Sequence, residues 1–165
     1  MIQVAVITIS DKGYAGERED ESGKVLKELV KKLPGEVSHY EIIPDEKARI
    51  KEKLTACCDQ LKVDLILTTG GTGFSPRDVT PEATLEVIEK RAPGLSEAMR
   101  MESLKITPRA MLSRAEAGIR GRTLIVNLPG SPKAAKECFL AVLPALSHGI
   151  EILQGKTGEC AEEMK

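Results

Sequence analysis

The chain has 165 residues, 41% of them apolar and 2% aromatic, and its formal net charge is −1. This length favours a single domain with a core of Val, Leu, Ile and Ala. The balanced charge argues against nucleic acid as a partner, and no apolar run approaches the roughly 18 residues that a membrane span needs. The cysteines and histidines show no zinc-ligand spacing and the sequence has no secretory signal, so the cytoplasm is the expected compartment.

The first half of the chain alternates strand and helix patterns. A β-branched run at residues 2–9 predicts a buried strand, and apolar spacing by three and four predicts an amphipathic helix at 20–33. Residues 37–43 predict a second strand. A helix whose apolar positions extend to Leu61 follows, and residues 64–69 predict a third, short strand.

The second half continues the alternation after a glycine-rich loop at residues 70–80. Pro81 is expected to open a helix behind a Thr80 cap, with Leu85 and Ile88 on its apolar side. Beyond it we expect, in order, a helix at 95–104, a short helix that starts at Thr107-Pro108, a turn at 118–121, a strand at 123–128 and a final helix at 132–153.

This order predicts an α/β fold with a mostly parallel sheet and helices on both of its faces. Residues 1–153 are expected to form the single domain, and residues 154–165 a polar C-terminal tail.

Polar or glycine-rich turns follow each predicted parallel strand. Ser10-Asp11 follow the first, Asp45-Glu46 the second, Gly70-Gly71-Thr72-Gly73 the third and Pro129-Gly130-Ser131 the last. Open parallel sheets bind ligands beyond the carboxyl ends of their strands. We therefore expect these residues to meet at one edge of the sheet.

The turn at residues 70–73 can present several backbone N–H groups to an anion, and the helix at Thr80-Pro81 points its positive end to the same edge. It is not a P-loop, because no Gly-Lys-Ser/Thr follows. It is not a dinucleotide fingerprint either, because Pro76 stands where the third glycine would be. The residues alone leave a phosphate site and a flexible strand-to-helix loop as alternatives.

Asp45 and Asp78 suit magnesium, a hard ion that takes one or two carboxylates together with phosphate oxygens. Such an ion stabilises charge in phosphoryl or nucleotidyl transfer. The same residues also suit structural roles, since Asp45 can cap a helix and Asp78 can stabilise a turn. Asp11 is open to the same alternative, and Ser131 is typical of an ordinary helix cap.

Residues 70–83 read Gly-Gly-Thr-Gly-Phe-Ser-Pro-Arg-Asp-Val-Thr-Pro-Glu-Ala, which closely resembles the signature of the molybdopterin-binding family. That family includes adenylyltransferases. The likeness covers nearly the whole chain and extends to Ser10-Asp11, Pro44-Asp45-Glu46, residues 94–100, Leu112-Ser113-Arg114 and residues 127–132.

The resemblance implies a three-layer α/β/α sandwich, a homotrimer, and adenylyl transfer from ATP to the terminal phosphate of molybdopterin with release of pyrophosphate. It assigns catalysis and Mg²⁺ binding to Asp45 and Asp78, and it suggests a metal-insertion protein as a candidate recipient of the product. The substrate and nucleotide contacts that it implies are Ser10, Asp11, Gly70, Gly71, Thr72, Gly73, Thr80, Pro81, Glu82, Ser113, Pro129, Gly130 and Ser131.

Three alternatives accompany this hypothesis. A non-catalytic molybdopterin-binding carrier or scaffold of the same family is disfavoured by the presence of both Asp45 and Asp78. Pyrophosphatases of the competence-damage type usually carry this domain fused to another. A purely structural interaction module would not explain three aspartates at a glycine-rich edge.

The chain departs from the family pattern at Ser131. Many members of the family have Asn there, so the hydrogen-bonding reach of this side chain is shorter in this chain.

Overall fold

The computed structural model describes residues 1–156 and contains six strands and six α-helices in that range. The strands are β1 (Ile2–Ile9), β2 (Gly35–Ile43), β3 (Leu65–Thr69), β4 (Lys90–Arg91), β5 (Ala117–Arg120) and β6 (Thr123–Leu128). The helices are α1 (Asp11–Tyr14), α2 (Glu21–Val30), α3 (Lys47–Asp59), α4 (Thr80–Val87), α5 (Pro93–Leu104) and α6 (Pro132–Leu153), with a 3₁₀ helix at Pro108–Leu112. Of the predicted polar tail, residues 157–165 lie outside the described part.

The strands form one sheet in the order β2-β1-β3-β6-β5-β4. Strands β1, β2, β3 and β6 run parallel, whereas β5 and β4 add antiparallel pairs at one side. The predicted mostly parallel sheet is thus confirmed. The turn predicted at 118–121 is wrong, since most of it is β5. A Cβ on Gly118 would lie 2.5 Å from Ile88 Cδ1 and 2.7 Å from the Lys90 carbonyl oxygen, so close packing explains a glycine within this strand.

Two hydrophobic cores lie on opposite faces of the sheet because side chains alternate along each strand. On one face, Val4, Val6, Leu65 and Leu67 pack in a core with apolar residues of α2, α5 and α6. On the other face, the intervening residues of the same strands pack against α3 and α4. The three-layer α/β/α architecture expected from the sequence is therefore confirmed.

The predicted details of α4 need correction. The residue that precedes the helix is Val79, and Thr80 is its first residue, with a hydroxyl that donates to the Gly70 carbonyl instead of capping the helix. Leu85 is exposed, because α4 packs on the sheet through Ala83 and Val87. Leu61 is also exposed, since α3 ends before it.

Side chains cap two helices at the carboxyl edge, and of these caps the one at Ser131 was predicted from the sequence. The Ser131 hydroxyl accepts a hydrogen bond from the Ala134 amide at 3.2 Å, and Asp20 caps α2 by accepting from the Gly23 amide at 2.9 Å. Helix α6 continues through Pro144 for 22 residues. Among residues 1–156, none of the helices has the length and apolar character required to cross a membrane.

Candidate functional site

The carboxyl ends of the four parallel strands open onto a hollow of about 690 Å³, which we call the acidic hollow. Its walls come from the turns after these strands and from the starts of α2 and α6. The sequence-predicted residues that line it are Ser10, Asp45, Gly70, Gly71, Asp78, Gly130 and Ser131. The expected meeting of these turns at one edge is therefore what the structure shows.

Asp11 and Asp45, which follow β1 and β2, hold each other through reciprocal hydrogen bonds. The Asp11 amide donates to Asp45 Oδ2 at 2.9 Å, and the Asp45 amide donates to Asp11 Oδ1 at 3.0 Å. Arg77 reaches across from the glycine-rich loop and donates to both Asp11 oxygens, at 2.9 and 3.0 Å. The two strand ends and the loop are thereby tied together, and Asp11 is occupied by protein partners.

The environments of Asp11 and Asp45 shift the pKa values of the two carboxyl groups in opposite directions. Hydrogen bonding from Arg77 holds the pKa of Asp11 below its ordinary value. Burial raises the pKa of Asp45, and the negative charges of Asp11 and Asp78 raise it further. Asp45 therefore lies in a region of excess negative charge, where a cation would be stabilised.

Asp78 combines the structural role with a place in the hollow. Its Oδ2 accepts from the Ser75 amide at 3.0 Å, and its own amide donates to the Ser75 carbonyl at 2.9 Å, which closes a turn. Asp45, in contrast, does not cap a helix: the residue preceding α3 is Glu46, and its side chain makes no capping bond. The capping alternative for Asp45 is therefore wrong, whereas the turn role of Asp78 is confirmed.

The glycine-rich turn approaches the neighbouring strands closely. Gly70 has φ +104°, and a Cβ there would lie 2.2 Å from the Ile9 carbonyl oxygen, so only glycine fits. Its amide donates to the Leu128 carbonyl at 3.1 Å, and its carbonyl accepts from the Thr80 hydroxyl at 2.9 Å. These bonds attach the start of the loop to the end of β6 and to the start of α4.

A second hollow of about 260 Å³, which we call the apolar hollow, lies on the other side of this turn. Its lining is mostly apolar and comes largely from α5, the 3₁₀ helix and α6. Four predicted residues line it instead of the acidic hollow, namely Thr72, Gly73, Ser113 and Pro129. The glycine-rich turn and the turn after β6 thus form a wall shared by two hollows.

Four predicted contacts line neither hollow: Asp11, which pairs with Arg77, and three residues of α4. Thr80 and Pro81 are buried in the first turn of α4. Glu82 forms an ion pair with Arg114, whose side chain also contacts the glycine-rich loop. Thr80 stabilises the loop through its bond to the Gly70 carbonyl, and Glu82 does so through Arg114.

The acidic hollow also contains residues that the sequence did not single out: Thr8, Arg18, Glu19, Asp20, Glu21, Ser22 and Thr69. Asp20 accepts from the Thr8 hydroxyl at 2.7 Å and also from the Tyr40 hydroxyl, so it links β1, β2 and α2. The sequence feature that could have identified Asp20 is its position as the cap of a helix that starts at the carboxyl edge. Arg114 belongs to the Leu112-Ser113-Arg114 segment of the family resemblance, which implies a contact for Ser113 but none for Arg114.

Asp45 and Asp78 are suited to hold a magnesium ion. Each uses Oδ2 as a hydrogen-bond acceptor, and the Oδ1 atoms accept no hydrogen bond from residues 1–156. Within that same range, no group of three or more His, Cys, Asp or Glu side chains could hold a metal ion. Two carboxylates with phosphate oxygens from a bound nucleotide are a typical magnesium environment, so this donor set fits the ion.

Comparison with known proteins places this architecture in a family. The model of the "Probable molybdopterin binding domain" matches residues 5–148. The molybdopterin adenylyltransferase of Helicobacter pylori strain J99 is 46% identical over 157 residues, which cover 93% of this chain and 89% of the relative. The enzyme of the same name from Escherichia coli K12 is 38% identical over 178 residues, with coverage of 99% and 91%.

A solved structure agrees with these relatives. The crystal structure of the molybdopterin biosynthesis enzyme MoaB from Thermus thermophilus superposes with a TM-score of 0.90 at 50% sequence identity, covering 96% of this chain and all of that one. Fold, edge residues and sequence identity lead to the same conclusion. The chain belongs to the molybdopterin-binding domain family.

Proposed function

We propose that this chain transfers an adenylyl group from Mg-ATP to the terminal phosphate of molybdopterin, giving adenylylated molybdopterin and pyrophosphate in molybdenum cofactor biosynthesis. The observation that carries the proposal is the placement of Asp45 and Asp78 beside a glycine-rich turn in the acidic hollow. Relatives at 38–46% identity over most of the chain bear the name molybdopterin adenylyltransferase.

The acidic hollow is the proposed site of the triphosphate. Asp45 and Asp78 would hold magnesium, which supplies neutralisation of the charge that develops on the pyrophosphate group. Ser131 and Gly130 stand at the start of the 22-residue helix α6, whose amide groups and positive end favour an anion. The role of these residues is to orient the α-phosphate and to shield its charge.

The apolar hollow is the proposed site of the pterin ring, because a flat organic ring is best placed against apolar side chains. Ser113, Thr72 and Gly73 line this hollow, and the two hollows share the glycine-rich turn. The terminal phosphate of the pterin would then reach over the shared wall. An oxygen of this phosphate attacks the α-phosphorus, and the bond between that phosphorus and the pyrophosphate oxygen breaks. The attacking phosphate is already anionic near neutral pH, so no general base is required.

The proposal extends to the assembly and location of the protein. Exposed apolar side chains on α5 and after it, among them Met101, Ile106 and Met111, support the proposed homotrimer. The proposed compartment is the cytoplasm, in keeping with the free, buried thiols of Cys57 and Cys138. A metal-insertion protein is the proposed recipient of the product.

The test is direct assay of purified protein with Mg²⁺, ATP and freshly prepared molybdopterin, followed by chromatography and mass spectrometry. Adenylylated molybdopterin that requires Mg²⁺ is the expected product. Tight pterin binding without product, under conditions in which the Escherichia coli enzyme gives product, would refute the transferase and favour the carrier.

A further inference from the structure

Arg114 bridges the two ends of the exposed turn that carries Asp78. Its Nε donates to the Gly73 carbonyl at 2.8 Å, and its Nη2 donates to the Asp78 carbonyl at 2.8 Å. Its backbone amide donates to the Thr72 carbonyl at 2.9 Å. Residues 74–77 between these ends are exposed, and Arg77 among them pairs with Asp11.

The third guanidinium nitrogen pairs with an acid on α4. Nη1 of Arg114 donates to Glu82 Oε1, whereas Glu82 Oε2 is buried and has no hydrogen-bond partner among residues 1–156. Glu82 therefore depends on Arg114 for the stabilisation of its charge. This pair joins the turn to the first turn of α4, which lies directly after it in the chain.

The backbone that carries Arg114 is itself anchored to α5. Arg100 Nη1 donates to the Ala115 carbonyl at 2.9 Å and to the Ser113 carbonyl at 3.4 Å. Residues Arg100, Ser113 and Ala115 also line the apolar hollow. Arg100 thus holds the backbone on both sides of Arg114, and the Arg114 side chain extends from there to the loop that borders the acidic hollow.

We propose that Arg114 is a positioning residue that fixes the carboxylate of Asp78 in the acidic hollow; this inference rests on the proposed function. Without the guanidinium, two carbonyl groups lose their donors, and the turn keeps its internal Ser75–Asp78 bonds and the exposed Arg77–Asp11 ion pair. These remaining contacts are exposed to solvent and do not by themselves keep the turn closed and in place. The turn then opens more often, and Asp78 moves with it.

The main test compares Arg114→Gln with Arg120→Gln, a control matched in chemistry. Arg120 also donates to a carbonyl, that of Val87 at 3.0 Å, and to both oxygens of Asp59, but it lies at the opposite edge of the sheet. At matched folded fraction, Arg114→Gln should lower kcat about 100-fold, the cost of misplacing a group by an ångström, and raise the Mg²⁺ requirement. Arg120→Gln should leave kcat and the Mg²⁺ requirement unchanged.

Two further variants separate charge from geometry. Arg114→Lys keeps a cation near Glu82 but cannot serve both carbonyls, so it should recover stability without recovering kcat. Glu82→Gln keeps both carbonyl bonds and should lower kcat no more than about 5-fold. Recovery of wild-type kcat by the lysine, or an equal loss in Glu82→Gln, would overturn the positioning role in favour of simple charge pairing.

Amide hydrogen exchange in the absence of substrates provides a readout that does not depend on activity. The Ser75 and Asp78 amides should exchange faster in Arg114→Gln, or in Arg114→Lys if the glutamine variant does not fold, and at the wild-type rate in Arg120→Gln. Unchanged exchange would overturn the inference. A wild-type protein without transferase activity would refute the proposed function, while the exchange rates would still decide whether Arg114 holds the turn.

Discussion

Asp11 and Asp45 exchange hydrogen bonds in both directions, each backbone amide donating to the other's carboxylate. The pairing sets the end of β1 against the end of β2, 34 residues away in the chain. Arg77 donates to both oxygens of Asp11, whereas Asp45 Oδ1 accepts no hydrogen bond from residues 1–156 and is available to a ligand. Asp11 therefore positions Asp45.

Asp11→Ala is expected to lower kcat of the proposed transfer about 10-fold, less than Asp45→Ala, because Asp45 stays in place but loses the acceptor for its amide. The folded fraction, measured by circular dichroism, should remain high. Steady-state kinetics of both alanine variants provide the comparison. An Asp11→Ala enzyme as inactive as Asp45→Ala would show that Asp11 contacts substrate directly.

Asp45→Asn should stabilise the fold at pH 7 while abolishing activity. The raised pKa means that Asp45 binds its proton more tightly in the folded chain than in the unfolded chain. Wild-type stability therefore falls as the pH rises from the ordinary aspartate pKa through the raised one. Asparagine keeps the acceptor for the Asp11 amide and carries no charge. The expected gain in unfolding free energy is up to about 1 kcal/mol, allowing for solvent screening.

Urea unfolding at pH 7 and near the ordinary aspartate pKa measures this difference, which should shrink at the lower pH. Asp59→Asn is the control of opposite sign: pairing with Arg120 lowers the pKa of Asp59, so this variant should lose stability at pH 7. A destabilised Asp45→Asn protein at pH 7 would contradict the burial and charge repulsion assigned to this carboxyl group.

Much of this arrangement could be predicted from the sequence. The β-branched runs and the strand-helix alternation indicate the parallel sheet, and the residues directly after its strands include Ser10, Asp45 and Ser131. The β4 and β5 strands were missed because they have two and four residues, too few to show a period. The Arg114 contacts depend on how residues 113–115 return beneath the loop, which is a tertiary relationship that no local pattern encodes.

Gly73→Ala should impair the site without unfolding the protein. A Cβ at Gly73 would lie 2.9 Å from Asp78 Oδ2, so the carboxylate must move away. We expect kcat to fall by about 10- to 100-fold, with a loss of stability near 1 kcal/mol. Gly94→Ala is the matched control, because a Cβ there has no heavy atom within 4 Å. Equal kinetics of the two variants would argue that Asp78 does not need its observed position.

Asn127→Ala is expected to destabilise the fold while leaving the chemistry intact. Asn127 is fully buried and donates to the hydroxyls of Thr68 and Thr84 at 3.0 Å each, and its Oδ1 accepts from the Glu116 amide at 3.2 Å. Removing these partners should cost about 2 kcal/mol. Thermal unfolding gives the loss, and kcat of the folded fraction at low temperature should match the wild type. A loss of kcat without a loss of stability would instead indicate a direct role in substrate binding.

The most direct measurement follows the phosphorus atom that moves. ATP labelled at the α-phosphate is incubated with Mg²⁺, molybdopterin and either wild-type protein or Asp78→Asn. Wild-type protein should transfer the label to the pterin and release unlabelled pyrophosphate, whereas Asp78→Asn, at the same folded fraction, should transfer it slower by orders of magnitude. Label that stays in ATP with the wild-type protein would contradict the proposed adenylyl transfer. Equal transfer by both proteins would contradict the role assigned to Asp78.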